Sequence, residues 1–398
     1  MLVGFAEAMS APEVVWSLVD RGYRVAAFAR RGRRSALRCS RQVVCDEITP
    51  PDVDADAALR EVDVLCREKA QHARVALFPL DDSALWLARK MASRPEVVLL
   101  GPSLEKLELA LDKVSQIEAA RLAGFDVPIT TVCLTEKDVR SAGQSFPLII
   151  KPAKAAWEEK GRLRKGGFWV CGNERELETA IKKWAGRMPV LVQPFIPGVG
   201  EGIFGLGTKD GIRAWSGHRR LRMMNPQGSG SSACVSQPVD DKVRAIAERF
   251  VQATGWEGLF MIELLRDSFG KSWFVEFNGR AWGSMALARR QGLEYPAWQV
   301  DLALTGDAKI SEQSQSSRAI TCKNLGREFM HLLFVLRGPK SSALRPWPKF
   351  WKTLSEVVRI RRGDTVYNWR RSDPVVLFSD FYNTILDNVL KPRPVKSC

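Results

Sequence analysis

"WFVEFNGRAWGS" (residues 273–284) alternates apolar and polar side chains and then breaks at a glycine. In an extended chain residues i, i+2 and i+4 point to one side. Glu276, Asn278 and Arg280 therefore share a face, while Val275 and Phe277 turn the other way, into a core. Taken alone, such a triplet is either a solvated sheet surface or one wall of a site. The stretch just upstream weighs on the choice. "MIELL" (261–265) sets Glu263 between Ile262 and Leu264, and "DSFGK" (267–271) reads as a hairpin turn. A hairpin brings Glu263 beside Glu276, and two carboxylates with an amide oxygen at that separation repel unless something positive lies among them. Mg2+ suits that place, because it takes hard oxygen ligands and keeps positions open for phosphates.

The bulk properties set bounds. A chain of 398 residues suggests two or three domains, and 45% hydrophobic with 26% charged residues is an ordinary globular composition. The apolar run "FMHLLFVL" (329–336) is short and interrupted by His331, so no membrane span is expected. "MLVGFAEAM" has no basic leader and meets Glu7 at once, which makes a cytoplasmic location the expectation. None of the eight cysteines forms a C-x-x-C pair and there are only three histidines, which argues against structural zinc and for free thiols. The net charge is +15, and residues 331–398 hold 13 Lys or Arg against 5 Asp or Glu, a local +8. A basic surface attracts nucleotides, anionic lipid or nucleic acid without choosing among them.

The pattern of elements is α/β followed by α+β. "MLVGFA", "YRVAAFA" (23–29), "ARVALFPL" (73–80) and "EVVLLG" (96–101) read as buried strands with helices between them, a parallel, Rossmann-like domain over 1–101. The turn after the first strand, "AEAMSAPE", lacks the dinucleotide glycine fingerprint, so no nicotinamide cofactor is expected. Residues 102–306 read as mostly antiparallel α+β, beginning with a helix interrupted around Asp112–Lys113. "DGI" (210–212) reads as a second hairpin turn. "DAKISEQSQSSR" (307–318) reads as a loose polar linker into a basic extension, 307–398.

Anion-handling residues recur at separated points, each also readable as ordinary surface. Lys151 ends the apolar strand "PLIIK" before Pro152, and Lys113 sits in "LDK". "EEKGRLRKGG" (158–167) reads as a flexible cationic loop able to fold over phosphates. "LVQPFIPGVGEG" places an apolar strand before a Pro/Gly-rich segment where a planar base could rest on Phe195 and Ile196, with Glu201 near ribose hydroxyls. "GHRRLRM" alternates His218, Arg220 and Arg222 on one face, a row of cations that invites an anion, and "GSGSS" (228–232) supplies mobile backbone.

In this order and spacing the residues resemble the ATP-grasp superfamily, in particular its carboxylate–amine (carbamoyl-phosphate-synthase-like) ligase branch, over about residues 1 to 305. The resemblance implies a Rossmann-like preceding domain, an ATP-grasp domain with a central subdomain at about 115–190, and a small C-terminal extension. It implies that Lys113 and Lys151 bind the α- and β-phosphates of ATP. Gln193, Pro194 and Ile196 would line the adenine, and Glu201 would hold the ribose. Glu263, Glu276 and Asn278 would hold one or two Mg2+, with Mn2+ as a substitute. Arg280, with Arg220 or Arg222, would stabilise the transferring phosphoryl group. Many relatives carry an acid where this chain has Gln193–Pro194. The activity implied is joining a carboxylate to an amine through an acyl phosphate, releasing ADP and phosphate. Small-molecule substrates and a homodimer are the expected partners, and nucleic acid is not. The alternative is a non-catalytic ATP-binding regulatory subunit, associated with a membrane surface through "RPWPKFWKTL" in its basic tail.

Overall fold

A computed structural model describes residues 1–70, 74–143, 145–226, 228, 230–308, 310, 319–339 and 347–389. The chain opens with five parallel strands in the spatial order Val44–Ile48, Ala26–Arg30, Leu2–Gly4, Val75–Pro79 and Val97–Leu99. Helices Ala11–Asp20, Ala55–Ala70 and Asp82–Met91 connect them. The central strands are buried nearly throughout, as their unbroken apolar runs require when both faces are covered. Asp81 ends the fourth strand and caps the next helix, its carboxylate accepting from the Ala84 amide at 2.8 Å.

The expected helix interruption is real and has a cause. Helix Leu104–Leu111 stops at Asp112, whose extended backbone lets its side chain accept from the amides of Val114 and Ser115 and start helix Lys113–Ala123. Lys113 is thus the first residue of a helix, and its amide is tied to the Ala153 carbonyl at 2.8 Å.

Next comes a four-stranded antiparallel sheet in the order Trp169–Cys171, Leu148–Pro152, Val190–Pro194, Thr131–Cys133. Lys151 lies opposite Leu191 and Gln193 opposite Ile149, so these four share one face of it. The stretch 158–167, read above as a flexible loop, is instead largely a β-hairpin, Trp157–Glu159 with Arg162–Arg164. Lys160 and Gly161 both take positive φ (51° and 70°) at its tip, the geometry of a tight two-residue turn. The hairpin is also docked: the Leu163 amide donates to the Pro51 carbonyl at 2.7 Å and the Ala55 amide to the Gly161 carbonyl at 2.9 Å.

A seven-stranded sheet forms the largest layer, in the order Ser272–Asn278, Gly258–Arg266, Val199–Thr208, Gly211–Met223, Ser231–Gln237, Thr321–Lys323, Asp364–Val366. Both predicted hairpins are present in it. Its last two strands come from beyond residue 306, followed or flanked by helices Leu325–Arg337, Phe350–Val358 and Val375–Val389. The linker read at 307–318 lies mostly outside the described residues, as does Ser229 of the glycine-serine stretch, whose Ser231 and Ser232 begin strand Ser231–Gln237. The seven described cysteines are free thiols. Among the described residues no helix is long and apolar enough to cross a membrane.

Candidate functional site

The opening hairpin carries the site. Glu263 and Glu276 stand directly opposite one another in the register of strands Gly258–Arg266 and Ser272–Asn278. The strand ends at Asn278, and the next residue is glycine for a packing reason: a Cβ at Gly279 would fall 2.1 Å from the ring of buried Trp256.

Cations approach this pair from three other segments. Lys113 Nζ meets Glu276 Oε2 at 2.8 Å. Arg220 donates from Nη1 to Glu263 Oε1 at 2.7 Å. Lys151 reaches across from the four-stranded sheet and donates to the Val275 carbonyl at 3.2 Å. Burial would raise the Glu263 pKa, but Arg220, then Lys113 and Lys151, outweigh it and hold the carboxylate below its ordinary value. Burial likewise disfavours charged Lys113, yet Glu276 keeps its pKa above the ordinary value. Lys151 differs: burial and the neighbouring Lys113 push its pKa down to about 8. Three cations thus face two carboxylates, and Lys151 has only a carbonyl.

Arg280 continues the row. It donates from Nη2 to Asn278 Oδ1 at 3.0 Å and from Nε to Asp82 Oδ1 at 2.6 Å. This last contact ties the large sheet to the carboxyl end of a parallel strand, a place where α/β sheets bind ligands. Next to Asp82, Asp81 accepts from Arg30 at 2.8 Å and Lys165 at 3.0 Å. Burial opposes both aspartates' charge, and the Arg30 and Arg280 guanidiniums more than offset it, so both pKa values lie below the ordinary range. Asp81 and Asp82 directly follow the strand read at 73–80 and are not among the residues singled out from the sequence. Two acids at the mouth of a buried parallel strand were the available signal.

Other expected residues lie elsewhere. Arg222 was expected beside Arg220, but the register slips between them at a bulge. Arg222 instead makes a two-pronged ion pair with buried Glu328, at 2.9 Å from Nε and 2.6 Å from Nη2. Glu201 is in register with Leu264 and Arg219, whereas Gly202 is in register with Glu263 and His218. Alternation therefore turns Glu201 to the opposite face from Glu263, and Arg266 grips its carboxylate at 2.8–3.0 Å. The ribose contact expected of Glu201 meets a carboxylate already engaged and facing away from Glu263. Gln193 is buried and donates its amide to Thr130 Oγ1 at 2.7 Å, leaving its oxygen as acceptor. Pro194 is exposed and Ile196 half-buried at the strand exit. His218, in the same row as Arg220, bonds Ser284 Oγ through Nδ1 at 2.8 Å while its buried Nε2 has no partner.

The donor set suits a hard divalent ion. Among the described residues no three His, Cys, Asp or Glu side chains are grouped to hold a metal. An ion here would have two carboxylates and one amide oxygen, and would depend on a ligand's phosphates for the rest, which is the habit of Mg2+.

No protein-family model matches this chain, and no curated protein sequence matches it. Solved structures do. An L-amino acid ligase from Bacillus licheniformis superposes with a TM-score of 0.60 at 18% identity, covering 80% of this chain and 77% of the other. The biotin carboxylase domain of Hydrogenobacter thermophilus 2-oxoglutarate carboxylase, solved with MgADP, ADP and bicarbonate, gives 0.59 at 18% identity over 78% and 70%. An ADP complex of PurK, N5-carboxyaminoimidazole ribonucleotide synthetase, gives 0.60 at 11% identity over 84% of each chain. The fold of this chain is accordingly the ATP-grasp fold.

Proposed function

We propose that this protein is an ATP- and Mg2+-dependent ligase that joins a carboxylate to an amine. The observation that carries the reading is the Glu263–Glu276 pair facing Lys113, Lys151 and Arg220, with Arg280 beside it. An excess of buried cations around two acids is costly unless an anion joins them, and a nucleotide's polyphosphate meets that need. That the biotin carboxylase neighbour was solved with MgADP supports the same ligand class.

In this reading Lys113 and Lys151 hold the nucleotide phosphates, and the Gln193 oxygen with the backbone at Pro194 and Ile196 receives the adenine. Glu263, Glu276 and Asn278 would hold Mg2+, which when bound supplies charge neutralisation between phosphate oxygens. A carboxylate oxygen attacks the γ-phosphorus, the bond to the β-phosphate oxygen breaks, and ADP leaves. Arg280 and Arg220 stabilise charge on the transferring group. The amine nitrogen then attacks the acyl carbon, phosphate departs, and the nitrogen gives up its proton. Positioning and electrostatics do most of this work, as in other phosphoryl transfers. We further propose that the parallel sheet acts as the preceding domain of the enzyme and that it works as a homodimer in the cytoplasm.

The test is to incubate protein with MgATP and a desalted small-molecule extract and follow products by mass spectrometry. A new mass equal to two metabolites minus water, matched by ADP and absent with Glu276→Gln, is expected. ATP turnover unchanged in that variant would overturn the assignment.

A further inference from the structure

At the carboxyl ends of the parallel strands lies a cavity of about 550 Å3, lined in part by Asp81 and Ser83, the chain neighbours of Arg280's partner Asp82. Its floor is a chain of ion pairs in which nearly every group is spent. Arg30 donates to Glu7 Oε1 at 2.7 Å and to Asp81 at 2.8 Å, and its guanidinium lies over the Phe5 ring. Asp81 is filled by Arg30, Lys165 and the Ala84 amide. One acceptor is left over: Glu7 Oε2 is buried and has no hydrogen-bond partner. A buried carboxylate oxygen without a donor is costly, and burial, the largest influence, raises the Glu7 pKa. A ligand ammonium would supply the missing donor.

The rim has the opposite surplus. Arg34 spends one nitrogen on Asp387 at 2.7 Å, and Arg33 lies 3.8 Å from Asp52. Arg164 Nε is buried without a hydrogen bond, its closest acid being Glu159 at 3.4 Å. Each guanidinium carries five N–H donors in a fork that matches a carboxylate. Asp387 comes from helix Val375–Val389, so the C-terminal helix forms part of the wall. A smaller adjoining cavity of about 160 Å3 shares Glu7, Arg34 and Asp387 with the first.

We propose that this cavity is the subsite for a substrate carrying both a primary ammonium and a carboxylate, an α-amino acid or a short peptide. Glu7 takes the ammonium and the Arg33, Arg34 and Arg164 rim takes the carboxylate. The Arg34–Asp387 pair makes the C-terminal helix a specificity element. This inference rests on the ligase reading above, whose site it adjoins through Asp81 and Asp82.

The experiment measures ADP release by the full-length protein with MgATP and a panel of standard L-amino acids and dipeptides. Each is run beside its decarboxylated amine and its deaminated acid, with thermal stabilisation by ATP recorded in parallel. At least one amino acid or dipeptide should drive ADP release, with both truncated analogues weaker in kcat/KM by roughly 100-fold. Glu7→Gln should raise KM for that substrate about tenfold, more than it lowers kcat. Arg34→Gln, at the half-exposed rim where folding is not at stake, should do the same. An amine or a deaminated acid that works equally well would overturn the proposal. So would an inert panel when ATP stabilises the protein and a metabolite extract still drives ADP release. If ATP neither stabilises the protein nor is consumed with any extract, the ligase reading itself fails, and this inference falls with it.

Discussion

Arg220 and Arg222 stand two residues apart on one strand, and they end in two different kinds of place. Arg220 pairs with Glu263 in a cluster where Lys151 has only a backbone carbonyl. Arg222 grips Glu328, on helix Leu325–Arg337, with two nitrogens, in a pair with acid and base both satisfied. Both are buried ion pairs, and a list of salt bridges would rank them alike. The difference lies in the remainder: one region keeps a surplus of positive charge facing its acids, and the other is closed. A closed pair holds elements together, whereas a surplus awaits a ligand.

That contrast can be broken or sharpened by substitution. The largest effect is expected from Glu276→Gln, which should lower turnover by on the order of 10³-fold or more. Gln still accepts from Lys113, so circular dichroism and melting should stay close to wild type. Normal turnover would move the site elsewhere. Arg222→Ala should act on stability, leaving Glu328 buried without its base and costing about 3–5 kcal/mol in a denaturant titration. Turnover per folded molecule should then hold, and a selective loss of kcat would instead return Arg222 to the chemistry. Lys151→Met should weaken ATP binding by about tenfold. It should leave stability unchanged or slightly improved, because the buried cation removed has a carbonyl and no directly bonded carboxylate. A large loss of stability would show that Lys151 is structural.

The smallest effect concerns pH. His218 is fully buried, and burial followed by the nearby Arg220 sets its pKa well below the ordinary 6.5. The native protein then refuses a proton that the unfolded chain accepts, so stability falls as pH drops below about 6.5. Melting temperature measured from pH 7.5 to 5 should decline in wild type and decline less in His218→Gln. Equal slopes would contradict this. His331, also held low by burial, leaves some slope in both proteins.

Much of this was legible in the sequence, and the reasons are local. Period-two alternation and a turn signal place Glu263 beside Glu276 with no long-range information. The break at Asp112–Lys113 is visible because a capping aspartate is a local device. Arg222 was not legible, since a bulge between it and Arg220 depends on how neighbouring strands pair. Glu201 shows the same limit: its face follows from a register with Leu264 and Arg219, set by distant strands. Residues 158–167 have a loop's composition, and they form a hairpin because Pro51 and Ala55 offer backbone partners. The role of Asp82 needed Arg280, 198 residues away in the chain.

The most direct test of the central claim is a calorimetric titration with a non-hydrolysable ATP analogue, with and without Mg2+, in wild type and Glu263→Gln. Mg2+ should tighten binding by about tenfold or more in wild type, and Glu263→Gln should lose most of that gain. Equal affinity with and without Mg2+, or a gain untouched by the substitution, would contradict the assignment of Glu263, Glu276 and Asn278 as the face that holds the metal and its nucleotide.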